Sequence, residues 1–225
     1  MAFRDDRRAV SYAELADRTA RLAGHLQDLG LQQGDRALLY LDNAVETAEA
    51  YLAVPRAGAI AVCANPGAAV PEVAHVLDDS GSRIVITDAA HLDVVRGLVA
   101  ERDGILAVVV TGSDPDLAAG ESANDALLAR EAAAPRDCLG LDDVAWMLYT
   151  TGTTGRPKGV YLTQRGCFWV VASWTPAVGM GPDDVVLSPL PLFHSYALVV
   201  CVLGIVAPSG CRCSTVTASP RPRRS

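Results

Sequence analysis

Lysine is almost absent from this chain of 225 residues. Lysine and arginine together number 19, and Lys158 is the only lysine among them. Aspartate and glutamate number 26, which gives a formal net charge of −7. Nothing in this bulk composition favours binding to nucleic acid or to an anionic membrane surface. We therefore expect a small-molecule partner, and the single lysine directs attention to the segment around it.

The sequence also lacks the marks of a secreted, membrane-spanning or metal-binding chain. Its 6 cysteines form no C-x-x-C pair and show no metal-type spacing with the 4 histidines. The amino terminus has no apolar signal core. The longest apolar run, 196–207, is shorter than the roughly 20 residues needed to cross a bilayer. We expect a cytoplasmic protein with reduced thiols, no transmembrane segment and a buried helix at 196–207.

Helical and strand patterns alternate along the first half of the chain. Ser11 and Glu14 form an S-x-x-E capping box before a helix that ends at Gly30. Strands are predicted over 35–41, 59–66, 82–88 and 104–112, and helices over 46–58, 71–81 and 91–102, the first of these interrupted by Pro55. Continuous Val, Ile and Leu runs between amphipathic helices indicate an α/β fold with a largely parallel sheet covered on both faces.

A change of composition divides the chain into two α/β units. Residues 113–143 are rich in Asp, Ala, Glu and Pro and predict a linker or excursion between units at 1–112 and 144–207. The second unit is predicted to contain strands at 144–150, 159–166 and 185–191 and a helix at 167–174. The basic, proline-containing stretch 208–225 departs from this pattern, and it predicts either a disordered end or the product of a reading-frame shift.

The segment TTGTTGRPKGV contains residues 150–158, here called the Gly/Thr loop. Gly152 and Gly155 are too close for the Walker A pattern, and Pro157 and Gly159 disfavour the helix that Walker A requires. Closely spaced glycines nevertheless let backbone N–H groups converge on an anion, and the threonine hydroxyls and Lys158 add further donors. A plain hairpin turn is the alternative, but a turn does not need nine residues rich in hydroxyls. The pattern favours a polyphosphate ligand.

Two motifs carry a resemblance to a known family. The segment LYTTGTTGRPKGVYLT resembles the signature loop of the adenylate-forming enzymes, which include acyl-CoA synthetases, nonribosomal peptide adenylation domains and luciferases. The segment LPLFHSYAL resembles the next motif of that family, and residues 11–66 are similar to its amino-terminal opening. The resemblance extends to about residue 207. It implies an incomplete N-terminal domain of the adenylate-forming fold, closest in type to bacterial fatty-acid–CoA ligases.

The resemblance implies a two-step reaction with ATP, Mg²⁺ and coenzyme A. A carboxylic acid, here expected to be a fatty acid, attacks the α-phosphorus of ATP and releases pyrophosphate, and the acyl-adenylate then passes to a thiol. His194 is expected where the carboxylate and the thiol channel meet, and Thr150 is expected to bind Mg²⁺. The residues expected to contact the ATP phosphates are Thr151, Gly152, Thr153, Thr154, Gly155 and Lys158.

Three functions stay open at this point. The family's later motifs supply the adenine pocket, the ribose aspartate, an acidic Mg²⁺ ligand and a second domain with a catalytic lysine, and none of them is found here. The first hypothesis is an acid–thiol ligase that is inactive alone and needs a separately encoded C-terminal remainder. The second is a non-catalytic remnant that binds a polyphosphate or a partner. The third, an amino-acid adenylation module, is disfavoured because no carrier or condensation region is attached.

Overall fold

Strands and helices alternate along the chain, as the apolar pattern predicts. The computed structural model describes residues 1–112, 116–150, 156–181, 184–206 and, for the backbone only, 214–216. The strands are β1 Phe3–Arg4, β2 Ala9–Val10, β3 Arg36–Tyr40, β4 Ile60–Cys63, β5 Ile84–Asp88, β6 Ala107–Thr111, β7 Glu121–Ala123, β8 Val144–Thr150, β9 Lys158–Thr163, β10 Val186–Ser188 and β11 Ser214–Val216. The helices are α1 Tyr12–Asp28, α2 Val45–Arg56, α3 Val70–Ser80, α4 Leu92–Ala100, α5 Asn124–Leu128, α6 Gln164–Ala177, a π-helix Ala197–Leu203 and the single turn α7 Gly204–Val206.

The main sheet has seven strands in the order β7-β6-β5-β3-β4-β8-β9. Its neighbouring strands run parallel, except that β9 is antiparallel to β8, so the predicted largely parallel sheet is confirmed. Strand β8 follows the 113–143 stretch yet pairs with β4, with Ala61 opposite Trp146. The strands assigned by sequence to two α/β units therefore lie in one sheet, and the boundaries at 112, 143 and 207 stay predictions.

Both faces of the inner strands β3, β4, β5, β6 and β8 are buried, which explains their continuous apolar runs. In β3, Ala37 and Leu39 belong to the core shared with α1 and α2, whereas Leu38 and Tyr40 belong to the core shared with α3 and α4. Because successive side chains of a strand point to opposite faces, each strand contributes to both cores. The carboxyl ends of the strands are left as the edge where loops can form a site.

Helix α2 corrects one prediction. The sequence predicted an interruption at Pro55, but the helix continues to Arg56 with Pro55 inside it. Proline has no N–H, so the carbonyl of Tyr51, four residues earlier, loses its usual donor. The indole Nε1 of Trp146 in β8 donates to that carbonyl at 3.0 Å. A tertiary hydrogen bond therefore satisfies the group that Pro55 leaves without a helical donor.

The chain after β9 differs in detail from the prediction. The strand predicted to reach residue 166 ends at Thr163, because the Thr163 hydroxyl accepts from the N–H of Gly166 and begins α6. The short strands β1, β2 and β7 were not predicted. In the small sheet, β1 and β2 join β10 and β11 in the order β10-β11-β1-β2. The predicted 208–225 tail lies outside the described residues, apart from the backbone of β11.

Within the apolar run, Ala197–Val206 forms a largely buried helix, as predicted, although most of it is π-helical. Its glycine, Gly204, lies against Trp174 of α6, where an added Cβ would be 2.7 Å from Cζ2 of the indole. Glycine is therefore required for this close approach between the two helices. In the described parts of the chain, no helix combines the length and the hydropathy that crossing a membrane requires.

Candidate active site

A cleft of about 550 Å³ opens at the carboxyl ends of β4 and β8. Ligand sites of parallel α/β sheets form at this edge, because the loops that follow the strands converge there. Strand β4 supplies one part of the wall, α3 a second, the β8–β9 pair a third and the segment after β10 a fourth. The lining residues are Cys63, Ala64, Asn65, Ala68, Glu72, Val73, Val76, Leu148, Tyr149, Thr150, Pro157, Val160, Leu162, Phe193, His194 and Ser195.

The Gly/Thr loop joins two antiparallel strands at this cleft. Thr150 ends β8 and Lys158 begins β9, and the two residues are opposite each other in the strand pair. Thr150 and Pro157 line the cleft, and Lys158 is exposed. A strand follows the loop, which agrees with the exclusion of Walker A. The remaining predicted phosphate contacts, Thr151, Gly152, Thr153, Thr154 and Gly155, lie outside the described residues.

Helix α3 contacts both ends of the Gly/Thr loop. The hydroxyl of Tyr149, next to Thr150, donates to Asp79 Oδ2 at 2.7 Å. The ring nitrogen Nε2 of His75 lies 2.9 Å from the carbonyl oxygen of Pro157. Sequence reasoning missed His75 and Asp79. Their spacing of four residues, which places both on one helix face, was the available signal.

His194 belongs to a short segment that three hydrogen bonds hold in place. The side chain of Asn43 donates to the carbonyl of Leu190 at 2.8 Å and accepts from the N–H of Leu192 at 2.7 Å. The buried hydroxyl of Tyr51 donates to the carbonyl of Leu192 at 2.8 Å. The His194 ring is exposed and lies 4.1 Å from the ring of Phe193. The structure thus brings His194 and Thr150 to the same cleft.

A second, more apolar cleft of about 460 Å³ adjoins the first, with which it shares Leu162 and Ser195. It lies between the start of α6 and the π-helix, and its wall includes Tyr196 and Val200. Cys167 also lines it, and burial raises the pKa of this thiol to about 11. At neutral pH the thiol is protonated, so this cleft offers an apolar surface rather than a nucleophile.

Oxygen ligands for a divalent cation are few in the cleft. Thr150 offers a hydroxyl and Glu72 an exposed carboxylate. Mg²⁺ is commonly held by one or two protein oxygens together with substrate phosphates and water, so this donor set fits Mg²⁺ that arrives with a nucleotide. Burial raises the pKa of Tyr149, and Asp79 raises it further, so this hydroxyl stays a protonated donor.

A separate polar group lies at the carboxyl ends of β3 and β5. Ligand atoms of Asp42, Asp88 and His91 are within 4.8 Å of one another. Both oxygens of Asp88 already accept hydrogen bonds, one from the N–H and Nδ1 of His91 and the other from the N–H of Asp42. This arrangement ties two strand ends together, which is a structural role.

Comparison with known proteins gives a consistent assignment. The sequence profile of the AMP-binding enzyme family matches residues 1–224. The long-chain-fatty-acid–CoA ligase FadD13 of Mycobacterium tuberculosis is 34% identical over 86% of this chain and 37% of its own length. A feruloyl-CoA synthase of Amycolatopsis is 37% identical over 86% of this chain and 36% of its own length. The chain therefore spans little more than a third of these curated relatives.

A solved structure agrees with this assignment. The ATP-bound MatB of Rhodopseudomonas palustris is 30% identical and superposes with a TM-score of 0.81, over 98% of this chain and 42% of MatB. The agreement extends over the large sheet, both helical layers and the region of the cleft, because nearly all of this chain is covered. The chain belongs to the AMP-binding, adenylate-forming enzyme family.

Proposed function

We propose that this chain forms the phosphate-binding and acid-binding part of an AMP-forming acyl-CoA synthetase of the fatty-acid type. The observation that carries the proposal is the single cleft lined by Thr150, Pro157 and His194. A loop rich in N–H and hydroxyl donors and a histidine from a distant segment would thus face the same bound molecule. That arrangement suits a reaction in which ATP and a carboxylic acid meet.

The Gly/Thr loop has the chemistry to stabilise the departing pyrophosphate. The backbone N–H groups around Gly152 and Gly155, the hydroxyls of the loop threonines and the ammonium of Lys158 would bind the β- and γ-phosphates. Thr150 would contact Mg²⁺, with Glu72 as a second oxygen donor. Positive charge placed where negative charge develops lowers the barrier for phosphate departure.

The second cleft supports an apolar acid as substrate. It adjoins the first cleft beside His194, and aliphatic and aromatic side chains form most of its wall. An acyl chain in this cleft would leave its carboxylate near His194, where coenzyme A would later attack. The alternatives are a polyphosphate-binding chain without catalysis and, less well supported, an amino-acid adenylation module. A ligase would involve a C-terminal remainder encoded separately.

Binding of pyrophosphate and Mg·ATP tests the phosphate-binding role proposed for the Gly/Thr loop. We expect inorganic pyrophosphate and Mg·ATP to bind the chain, and we expect Lys158→Ala to weaken this binding about 10-fold or more, since it removes a charge-assisted contact. Arg165→Ala is the matched control, because Arg165 is an exposed base beyond the other end of β9, and its side chain pairs with Asp142. Equal loss in both variants, or no pyrophosphate binding at all, would contradict the proposed role of the loop.

The exchange measurement addresses catalysis. We expect this chain alone to give no ATP–pyrophosphate exchange that depends on palmitate, because the family's adenine and ribose motifs are not in its sequence. Binding without exchange is the result expected for a ligase part that needs its remainder and for the polyphosphate-binding alternative. Exchange that is lost in Lys158→Ala would show a complete adenylation site and would overturn the expectation of inactivity.

A further inference from the structure

We propose that helix α3 fixes the two ends of the Gly/Thr loop that the structure describes, with Asp79 holding Tyr149 and His75 holding Pro157. Asp79 and His75 are here called the α3 clamp. The α3 clamp belongs to the same site as the proposed function. Its expected effect on nucleotide binding rests on that function, whereas the contacts themselves do not. Both residues act through Tyr149 and Pro157, so they are positioning residues rather than catalytic ones.

The first contact of the clamp is at the end of β8. The Tyr149 hydroxyl donates to Asp79 Oδ2 at 2.7 Å, and an acceptor that carries a negative charge makes such a bond stronger than a neutral one. The tyrosine ring is confined on its other side, because an added Cβ at Gly159 would lie only 3.2 Å from Tyr149 Cζ. Between Asp79 and Gly159 the ring has little freedom, and it fixes where the chain leaves β8.

The second contact is at the start of β9. A carbonyl oxygen can only accept, so the Nε2 of His75 carries the proton of the 2.9 Å bond to Pro157. Lys158 is the first residue of β9 and pairs with Thr150 of β8, so Pro157 lies just before the paired strands. The His75 and Tyr149 rings meet edge to face, with centroids 6.3 Å apart. One helix turn therefore holds both ends of the loop in a single cluster.

The clamp is separable from the packing of its helix. Helix α3 is held on the sheet by its buried apolar residues Val73, Val76 and Leu77. His75 is only partly buried and Asp79 is exposed, so their substitution leaves the apolar contacts of α3 intact. Loss of the clamp should therefore loosen the loop ends and leave the fold in place.

Because Lys158 is the single lysine, cleavage after it can measure how often the loop ends open. A lysine-specific endoprotease can cut this chain only after Lys158, which yields residues 1–158 and 159–225. Lys158 is paired with Thr150, so cleavage requires local opening of the β8–β9 pair, and its rate reports the population of the open form when cleavage is slow. We expect Asp79→Ala, His75→Leu and Tyr149→Phe each to raise the cleavage rate roughly 5-fold, as loss of one hydrogen bond predicts.

The matched control is Asp78→Ala on the same helix. The Asp78 carboxylate binds Arg102 at 2.6 and 2.9 Å, and among the described residues it forms no hydrogen bond with Tyr149 or Pro157. The control and the clamp variants are each expected to lower the melting temperature by no more than about 4 °C. Faster cleavage in the clamp variants alone would support positioning. Unchanged cleavage in the clamp variants, or equal acceleration in Asp78→Ala, would overturn it.

Two further variants test the assigned contacts. The double variant with Tyr149→Phe and Asp79→Ala should be cleaved no faster than either single variant, because both remove the same bond. His75→Gln keeps an N–H donor at a similar reach and should restore slow cleavage relative to His75→Leu. Additive effects in the double variant, or no rescue by glutamine, would contradict the contacts assigned to the clamp.

The nucleotide consequence is measured with inorganic pyrophosphate and Mg·ATP. We expect the clamp variants to bind both more weakly by several-fold and Asp78→Ala to bind them as the unaltered chain does. If pyrophosphate fails to bind the unaltered chain while the cleavage differences persist, the proposed function fails and the positioning of the loop stands. If binding occurs but the clamp variants bind and are cleaved as the unaltered chain is, the positioning fails and the proposed function stands.

Discussion

At the scale of single residues, Gly159 is the glycine most restricted by its neighbours among those described near the cleft. A Cβ there would overlap Met147 Cε and lie 3.2 and 3.3 Å from Tyr149 Cζ and Oη. The Met147 side chain can adjust, but the ring of Tyr149 cannot move freely. We expect Gly159→Ala to lower the free energy of unfolding by about 1–2 kcal/mol, as overpacking does, measured by denaturant titration.

The control for this substitution is Gly97→Ala. Gly97 lies inside α4, and an added Cβ would have nothing within 4 Å. Alanine is the better helix former, so we expect this change to stabilise the chain by about 0.5–1 kcal/mol. A destabilisation of similar size in both variants would show that the Gly159 effect does not come from its contacts.

Residues also show where sequence reasoning succeeds and where it stops. Lys158 and the loop glycines could be identified because the groups that would bind phosphate lie close together in the sequence. The four-residue spacing of His75 and Asp79 shows only that they share a helix face; their contacts were missed because the partners lie 70 and 82 positions away in the chain. The unbroken helix at Pro55 was missed for the same reason, since the compensating donor, Trp146, comes from another strand.

At the scale of elements, α1 and α2 begin in different ways. The α1 capping box is local: Ser11 Oγ accepts from the Glu14 N–H, and the Glu14 carboxylate accepts from the Ser11 N–H. Helix α2 has no side-chain cap of its own, and Asp5 provides one from the turn between β1 and β2 by accepting from the N–H of Val45 at 2.9 Å. The first cap was predicted from four adjacent residues, whereas the second depends on the folded chain.

The α2 cap predicts a pH dependence. Burial raises the pKa of Asp5, but hydrogen bonds from the N–H groups of Val45, Arg8 and Arg7 outweigh burial and lower it below the ordinary 3.8. A lowered pKa in the folded state contributes stability above the ordinary value and loses it as the pH falls through the folded-state value. We expect Asp5→Asn to cost about 1–2 kcal/mol at neutral pH and less as the pH falls below the ordinary pKa of 3.8.

The measurement for Asp5 is the free energy of unfolding as a function of pH in both chains. The unaltered chain should lose stability on acidification more steeply than Asp5→Asn. Other acids with lowered pKa values, Asp88 and Asp125, remain in the variant, so a slope of the same sign should persist. Parallel curves for the two chains would refute the assigned cap.

At the scale of the whole molecule, large exposed apolar side chains are concentrated on β9 and on the elements that follow it. On α6 and β10, large apolar side chains are exposed to an unusual degree, among them Trp169 at 69% and Leu187 at 61%. Exposed patches of this kind favour association. We expect the chain to self-associate as its concentration rises and Trp169→Glu to reduce this, measured by sedimentation velocity.

The control for the exposed apolar side chains is Val70→Glu. Val70 is also exposed, at 48%, but it is the first residue of α3 and belongs to neither α6 nor β10. The same charge placed there should leave self-association unchanged. A chain that stays monomeric at all concentrations, or equal effects of the two substitutions by glutamate, would show that the exposed apolar side chains of α6 and β10 do not drive association.

The position of β8 has a consequence for the order of synthesis. Strands β3 to β7 are complete once residue 123 has been made, and five strands of the large sheet can then be paired. One side of β4 remains unpaired until β8 is made, because residues 144–150 are synthesised later. During that interval the growing chain presents an open strand edge of Ile, Ala, Val and Cys, the kind of edge to which other chains add. The strand that ends at the Gly/Thr loop is thus also the one that closes this edge on the nascent chain.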